Sequence, residues 1–201
     1  SAFSDYFELE LPIALSMPRS VDNFFGLGNE TKNSTDDKRF YRVRYQYALA
    51  NPTLTHSINK NITYKLGLFY QHFSVQDTTD RFIGNPQQSG LENSAYEPHH
   101  FGGLNAALEI DTRNSSVLPQ RGVHWVSEAQ GFYGLSDISK NFVRMKTDLS
   151  FYLSLRADPR FVLALRFGGA TNIGSYEFFH ANTLGGKTNL RGFRSRRFAG
   201  D

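Results

Sequence analysis

A chain of 201 residues suits one domain and is long enough to bury a core. It has no cysteine, which excludes disulfides and thiolate metal sites, and its net charge of +3 comes from scattered basic residues, which argues against nucleic acid as a partner. Aromatic residues make up 14%, with 18 Phe and 10 Tyr, yet mean hydropathy is −0.45 and no window approaches the ~18 apolar residues of a membrane helix.

The first residues, SAFSDYFELELP, lack the basic and apolar regions of a signal peptide. Alternation with period two begins there. Phe7, Leu9, Leu11, Ile13, Leu15 and Met17 oppose Glu8 and Glu10. Tyr41, Val43, Tyr45, Tyr47 and Leu49 then oppose Arg42, Arg44 and Gln46, and Ile62, Tyr64, Leu66, Leu68 and Tyr70 share one face of the next run. The longest case sets Val143, Met145, Leu149, Phe151, Leu153 and Leu155 against Arg144, Lys146, Asp148, Ser150, Ser154 and Arg156, and Phe161, Leu163, Leu165 and Phe167 follow. Helical spacing fits none of these runs, whereas half-buried strands do. The pattern predicts an all-β protein with eight strands at 5–17, 22–28, 39–50, 59–76, 99–112, 121–133, 141–156 and 161–173.

Short turns rich in Pro, Asn, Asp and Ser are expected at 18–21, 51–57, 114–120 and 157–160. Long polar loops are expected at 29–38, 77–98 and from Gly174 onward, with 134–140 intermediate. Long strands with short turns at one end and long loops at the other outline an antiparallel transmembrane β-barrel. A soluble sandwich would alternate in the same way, with its apolar face forming the core. Strand length and aromatic residues near strand ends favour the barrel, whose apolar face meets lipid and whose charged face lines the lumen.

No motif argues for an enzyme or a cofactor. Gly186-Lys187-Thr188 matches the tail of a phosphate-binding loop, but the first glycine of that pattern is replaced by Ala181 and no helical stripe follows. FFGLGNET lacks the third glycine of a dinucleotide fingerprint. His99 and His100 are adjacent and point to opposite faces of a strand, while His56, His72, His124 and His180 stand alone, so no metal site is expected. Glu8 and Glu10 share a face and read as lumen acids beside basic residues of other strands. The sequons at Asn29, Asn33, Asn61 and Asn114 are chance in a bacterial outer membrane.

Two stretches carry a resemblance. IDTRNSSVLPQRG, residues 110–122, resembles the strand end and periplasmic turn of the bacterial surface antigen superfamily of outer-membrane barrels, which includes BamA and TamA. LGGKTNLRGF, residues 184–193, resembles the second hallmark of that superfamily, a Gly-Gly followed by an R-G-F tip. The resemblance implies a sixteen-stranded barrel of which about eight strands are visible here. Residues 1–201 would be a partial barrel domain, strands four to eleven plus a re-entrant sixth loop at 174–201. Arg191 would be the tip arginine of that loop and latch onto acids of strands beyond this chain. Gly192 would permit the tight bend, Phe193 would pack on the inner wall, and Gly185 and Gly186 would let the loop re-enter. Asp111, Arg113, Pro119, Arg121 and Gly122 would fix the periplasmic turn and strand register.

The implied function is insertion, assembly or translocation of proteins at the bacterial outer membrane, without catalysis, metal or cofactor. Its partners would be the lipid bilayer, client outer-membrane or secreted proteins, and accessory assembly proteins. Other readings are a barrel anchoring a fused hydrolase domain and a complete eight-stranded barrel whose narrow interior leaves no room for a folded-in loop.

Overall fold

The protein is described from a computed structural model, which covers residues 7–28, 30–31, 35, 37, 39–154, 161–187 and 189–200. Nine strands form one antiparallel sheet: β1 (Phe7–Glu10), β2 (Ile13–Asn23), β3 (Arg42–Ala50), β4 (Thr53–Asn59), β5 (Ile62–Val75), β6 (His99–Asp111), β7 (Gly122–Gly134), β8 (Phe142–Leu153) and β9 (Leu163–Gly174). A small hairpin, β10 (Asn182–Leu184) with β11 (Phe198–Gly200), stands apart from it. Among the described residues the sheet ends at β1 and β2 on one side and at β9 on the other.

The nine strands make seven continuous spans. β1 pairs β4 and β2 pairs β3 in a single register from Phe7 opposite His56 to Ser16 opposite Tyr47, so residues 7–23 are one span against 42–59. Each span is interrupted by a proline, Pro12 and Pro52, which brings no N–H to the ladder. The gap is repaired locally: Asn51 donates its backbone N–H to Pro12 O at 3.0 Å, and the Thr53 hydroxyl donates to Asn51 O at 3.1 Å, where Pro12 has no hydrogen to give.

Two expected turns are therefore corrected. Residues 18–21 lie within β2 where its register shifts between Ser16 and Ser20, so extra residues are taken up as an irregularity of the strand. Residues 53–57 belong to β4, and the real turn comes at Lys60 and Asn61, where Asn59 Oδ1 accepts the backbone N–H groups of Asn61 (2.8 Å) and Ile62 (3.0 Å). The expected second strand at 22–28 is the end of β2 followed by irregular chain, with Gly28 bridging to Ala199. From Ile62 onward the predicted strands are close to those observed. The expected turn at 157–160, and Asn29 and Asn33, lie outside the described residues.

Directly opposed residues share a face of the sheet, so the registers sort every side chain. The outward face carries Leu9, Ile13 and Leu15, then Leu54, Leu66 and Leu68, then Leu104 and Leu108, and finally Val143, Leu149, Leu165 and Phe167. Many of these are exposed, and together they form a belt suited to lipid. Tyr64 and Trp125 border it at the short-turn end, Tyr70 and Tyr133 at the long-loop end. Among the described residues no helix is long and apolar enough to cross a membrane.

The inward face is divided. Toward the turns it is polar, with Lys65, Glu109, His124, Glu128, Lys146, Asp148 and Arg166. Toward the loops it is a ring-filled core of Phe24, Val43, Phe69, Phe73, Phe101, Phe132 and Phe142. This corrects the assignment of faces in the 41–50 run. Val43, Tyr45, Tyr47 and Leu49 face inward onto that core, and Arg42, Arg44 and Gln46 face outward. Alternation is the same in either orientation, and only the register fixes which set points in.

Candidate functional site on the inward face

The chain leaving β9 at Gly174 turns back over the inward face. Gly174 has φ +108, and a Cβ there would come within 3.0 Å of Asn141 O, so the exit itself depends on glycine. A 3₁₀ turn, Phe178–His180, then presses three bulky side chains into the ring-filled half. Phe179 stacks on Phe73 with centroids 4.0 Å apart at 12°, and Phe178 meets Phe24 at 4.7 Å. Such ring pairs add stabilisation beyond the area they bury.

His180 sits at the centre. Its ring lies 4.8 to 4.9 Å from Phe101, Phe132 and Phe142, and Nε2 donates to Gln71 Oε1 at 3.0 Å. Nδ1 is buried without a partner among the described residues. Burial, reinforced by Arg144 and His99, holds its pKa well below the usual imidazole range, so the ring is docked neutral. Its backbone carbonyl accepts from Asn172 Nδ2 at 3.0 Å and from the Arg144 guanidinium. Arg144 also donates to Asn172 Oδ1 at 3.2 Å and lies 5.4 Å from the Phe132 centroid and 5.8 Å from that of Phe142. Beside this, buried Glu177 pairs with Lys140 of the β7–β8 connection at 3.5 Å. Strands β5, β8 and β9 thus all hold the base of the segment.

Beyond the base, the β10–β11 hairpin carries the glycine motif. Gly185 has φ +127, and a Cβ there would fall 2.1 Å from Arg194 O; Gly186 has φ +89 and donates to Phe193 O at 3.1 Å. Asn189 ties the turn by accepting from Gly185 N and donating to Thr183 O, both at 2.9 Å. Arg191 is exposed and has no ion-pair partner among the described residues. Gly192 has φ +93 in open space, and the half-exposed ring of Phe193 lies 5.4 Å from that of Phe198 in the same hairpin. Two other arginines hold the hairpin instead. Arg196 Nε reaches Asp22 Oδ2 at 3.0 Å, while Arg197 bonds the hydroxyl and carbonyl of Thr31 and lies between the rings of Phe25 and Phe198.

The other expected group is compact. Asp111 accepts Nε and Nη2 of Arg113 at 2.9 and 2.6 Å and the Arg113 backbone N–H at 3.0 Å, a fork that raises the guanidinium's pKa. Gly122 has φ +110, and a Cβ there would lie 2.4 Å from Thr112 O. Pro119 is half-buried, whereas Arg121 is exposed and enters through its backbone: Asn114 Oδ1 accepts the N–H of Gln120 at 2.9 Å and of Arg121 at 3.1 Å. Glu109, Asp111 and His124 bring ligand-type atoms within 4.8 Å of one another. Arg113 already occupies Asp111, and His124 Nε2 is 2.8 Å from Glu109 Oε1, so the group is internally paired.

The structure thus gathers the two glycines, Arg191 and Phe193 in one hairpin, and the turn residues in another place at the far end of β6. Sequence reasoning missed Phe178, Phe179, His180, Arg144, Gln71 and Asn172. The one available cue was FFH, three bulky residues in a row inside an otherwise polar loop.

No curated protein matches this chain. Among solved structures, the crystal structure of BamA from Haemophilus ducreyi lacking POTRA domains 1-3 superposes with a TM-score of 0.62 at 18% identity, covering 96% of this chain. The match takes in 37% of that BamA chain, so this chain spans little more than a third of it. The two share the barrel fold, here seen as an antiparallel sheet of seven spans. The profile of the Omp85 superfamily domain matches residues 7–200, and the chain belongs to that superfamily.

Proposed function

We propose that this chain is part of an outer-membrane barrel that inserts or translocates proteins, and that residues 174–201 form its loop folded into the lumen. Superfamily membership and the shared fold support the coarse reading. The observation that carries the finer one is the docking of Phe178–His180 on the inward face, with the hairpin extended beyond it. A loop so held keeps the interior filled while the outward face meets lipid.

In this reading the β9 span is the eleventh strand of sixteen, and the seven spans count back to the fifth. The turn end faces the periplasm, and Asp111, Arg113 and Gly122 fix its geometry. Arg191 is presented for a carboxylate on strands outside this chain, with Gly192 allowing the close approach. A guanidinium in a narrow, partly dry lumen needs such a bidentate partner. Clients would be outer-membrane or secreted chains pairing at an exposed strand edge.

The test uses the full-length protein in liposomes, following insertion of an unfolded client barrel. Arg191→Ala should slow client insertion by about tenfold, roughly the loss of one charge-assisted hydrogen bond, while strand content stays unchanged. Undiminished insertion by that variant removes the latch role. Absence of insertion by the unaltered protein removes the assembly reading.

A further inference from the structure

The outward face changes character above the belt. Along β3 it runs from Ala50 and Ala48 through Gln46 to Arg44 and Arg42; on β5 it runs from Leu68 and Tyr70 to His72 and Ser74. Arg44 lies four residues beyond Ala48, about 13 Å along the strand at ~3.3 Å per residue. Ala50 stands opposite Tyr70, so Arg44 and Arg42 lie beyond the aromatic border, on the water side of the belt.

Two loop arginines join the two on β3. Arg42 donates its backbone N–H to Arg39 O at 3.1 Å, Phe82 donates to Phe40 O at 3.0 Å, and Arg81 Nη1 donates to Arg42 O at 3.1 Å. The 39–42 and 81–82 segments are therefore one scaffold carrying Arg39, Arg42, Arg44 and Arg81. Among the described residues none of the four has a carboxylate within ion-pair distance. Burial, with Arg44, Arg42 and Arg39 nearby and only Asp37 opposing them, pushes the Arg81 guanidinium's pKa down. Among the described residues, four cations are thus held together beside a lipid belt without an ion-paired carboxylate.

We infer that Arg39, Arg42, Arg44 and Arg81 form a docking surface for phosphorylated lipid headgroups of the leaflet at the loop end. Arginine forks match phosphate oxygens bidentately. An acyl-chain lipid adds what a free anion lacks: its tails lie on Leu66, Leu68 and Leu104 of the belt while its phosphates reach the arginines. Outward-facing Tyr70, whose hydroxyl meets His100 Nδ1 at 2.8 Å, marks the boundary between the two zones. This inference rests on the membrane-barrel reading above.

The experiment places the full-length protein in phosphatidylcholine nanodiscs doped with lipid A bearing both phosphates, or with lipid A from which both were removed. Lipid retained on the protein after extraction is counted by native mass spectrometry. The phosphorylated form should be retained, and the Arg42→Gln/Arg44→Gln pair should weaken retention about tenfold or more, with further loss in high salt. The Arg39→Gln/Arg81→Gln pair should act in the same direction, and it substitutes no strand residue. Heat-modifiable gel mobility reports barrel integrity in each variant. Equal retention of the dephosphorylated lipid, or retention unmoved by both pairs in folded barrels, overturns the docking surface while the barrel reading stands. Displacement of the lipid by inorganic phosphate alone at matched ionic strength would show that the belt contributes nothing, and overturns it too. A protein that never enters the nanodisc removes the membrane reading and this inference with it.

Discussion

The base and the tip of the 175–200 segment are built in opposite ways. The base is three residues of a 3₁₀ turn buried among rings, with hydrogen bonds from three different strands. The tip is an exposed turn whose arginine touches no acid among the described residues and whose phenylalanine leans on its own hairpin. The difference teaches where cost and function separate: burial at the base fixes where the loop lies, and the tip is left free to meet something else.

The strongest way to break that contrast is Phe179→Ala. It removes a ring stacked on Phe73 and in contact with Phe101 and His99, and should cost about 3 kcal/mol of docking free energy. Limited proteolysis and hydrogen exchange across 175–184 report it; unchanged protection there would deny the base its role. Next comes the neck between the two. Gly185→Ala forces a Cβ against a backbone carbonyl at φ +127, and strain of about 1–3 kcal/mol should loosen the hairpin while the base stays protected. Loss of protection at both places would show that the two regions are not separable.

Acid gives a finer test. His180 is docked neutral with its pKa depressed, so the undocked loop binds more protons once the pH falls below the free imidazole value. Docking should be insensitive to pH above about 6.5, weaken steadily below it, and stop weakening only under the depressed folded value. His180→Gln removes the titration and should flatten that profile; an unchanged profile assigns it to another group. The smallest effect is expected at the tip, where Arg191→Ala should alter thermal stability by less than about 0.5 kcal/mol, whatever it does to client insertion. A large loss would mean that Arg191 belongs with the base.

Much of the sheet could be read from period-two alternation, most cleanly from Ile62 to Gly174. The first third was harder because Pro18 and Asn51-Pro52 carry turn chemistry, yet residues 18–21 fall within β2 and Asn51-Pro52 join β3 to β4 in one span. Alternation also says nothing about which face is inside, and Tyr45 and Tyr47 could be placed only through their opposition to Phe73 and Val75. At the site, glycines announce themselves by motif because the backbone needs them. Phe178–His180 do not, because a docked loop has no periodicity and its partners are scattered along the chain, from Asn172, eight residues from His180, to Gln71, 109 residues away.

The Thr53 hydroxyl that serves Asn51 O in place of the hydrogen Pro12 lacks has a consequence for assembly. Strands slip by two residues, since a slip of one turns every side chain to the wrong face. After a slip of two toward Leu49, Pro12 would stand opposite a carbonyl with Asn51, not a hydroxyl, two residues on. That carbonyl would be unserved at the depth of the lipid, where nothing else can bond it. The proline and the threonine thus act as a key and its lock. They penalise the slip toward Leu49, whereas the opposite slip sets Pro12 against Thr53 with the Thr55 hydroxyl two residues on, so this proofreading of the ladder works in one direction.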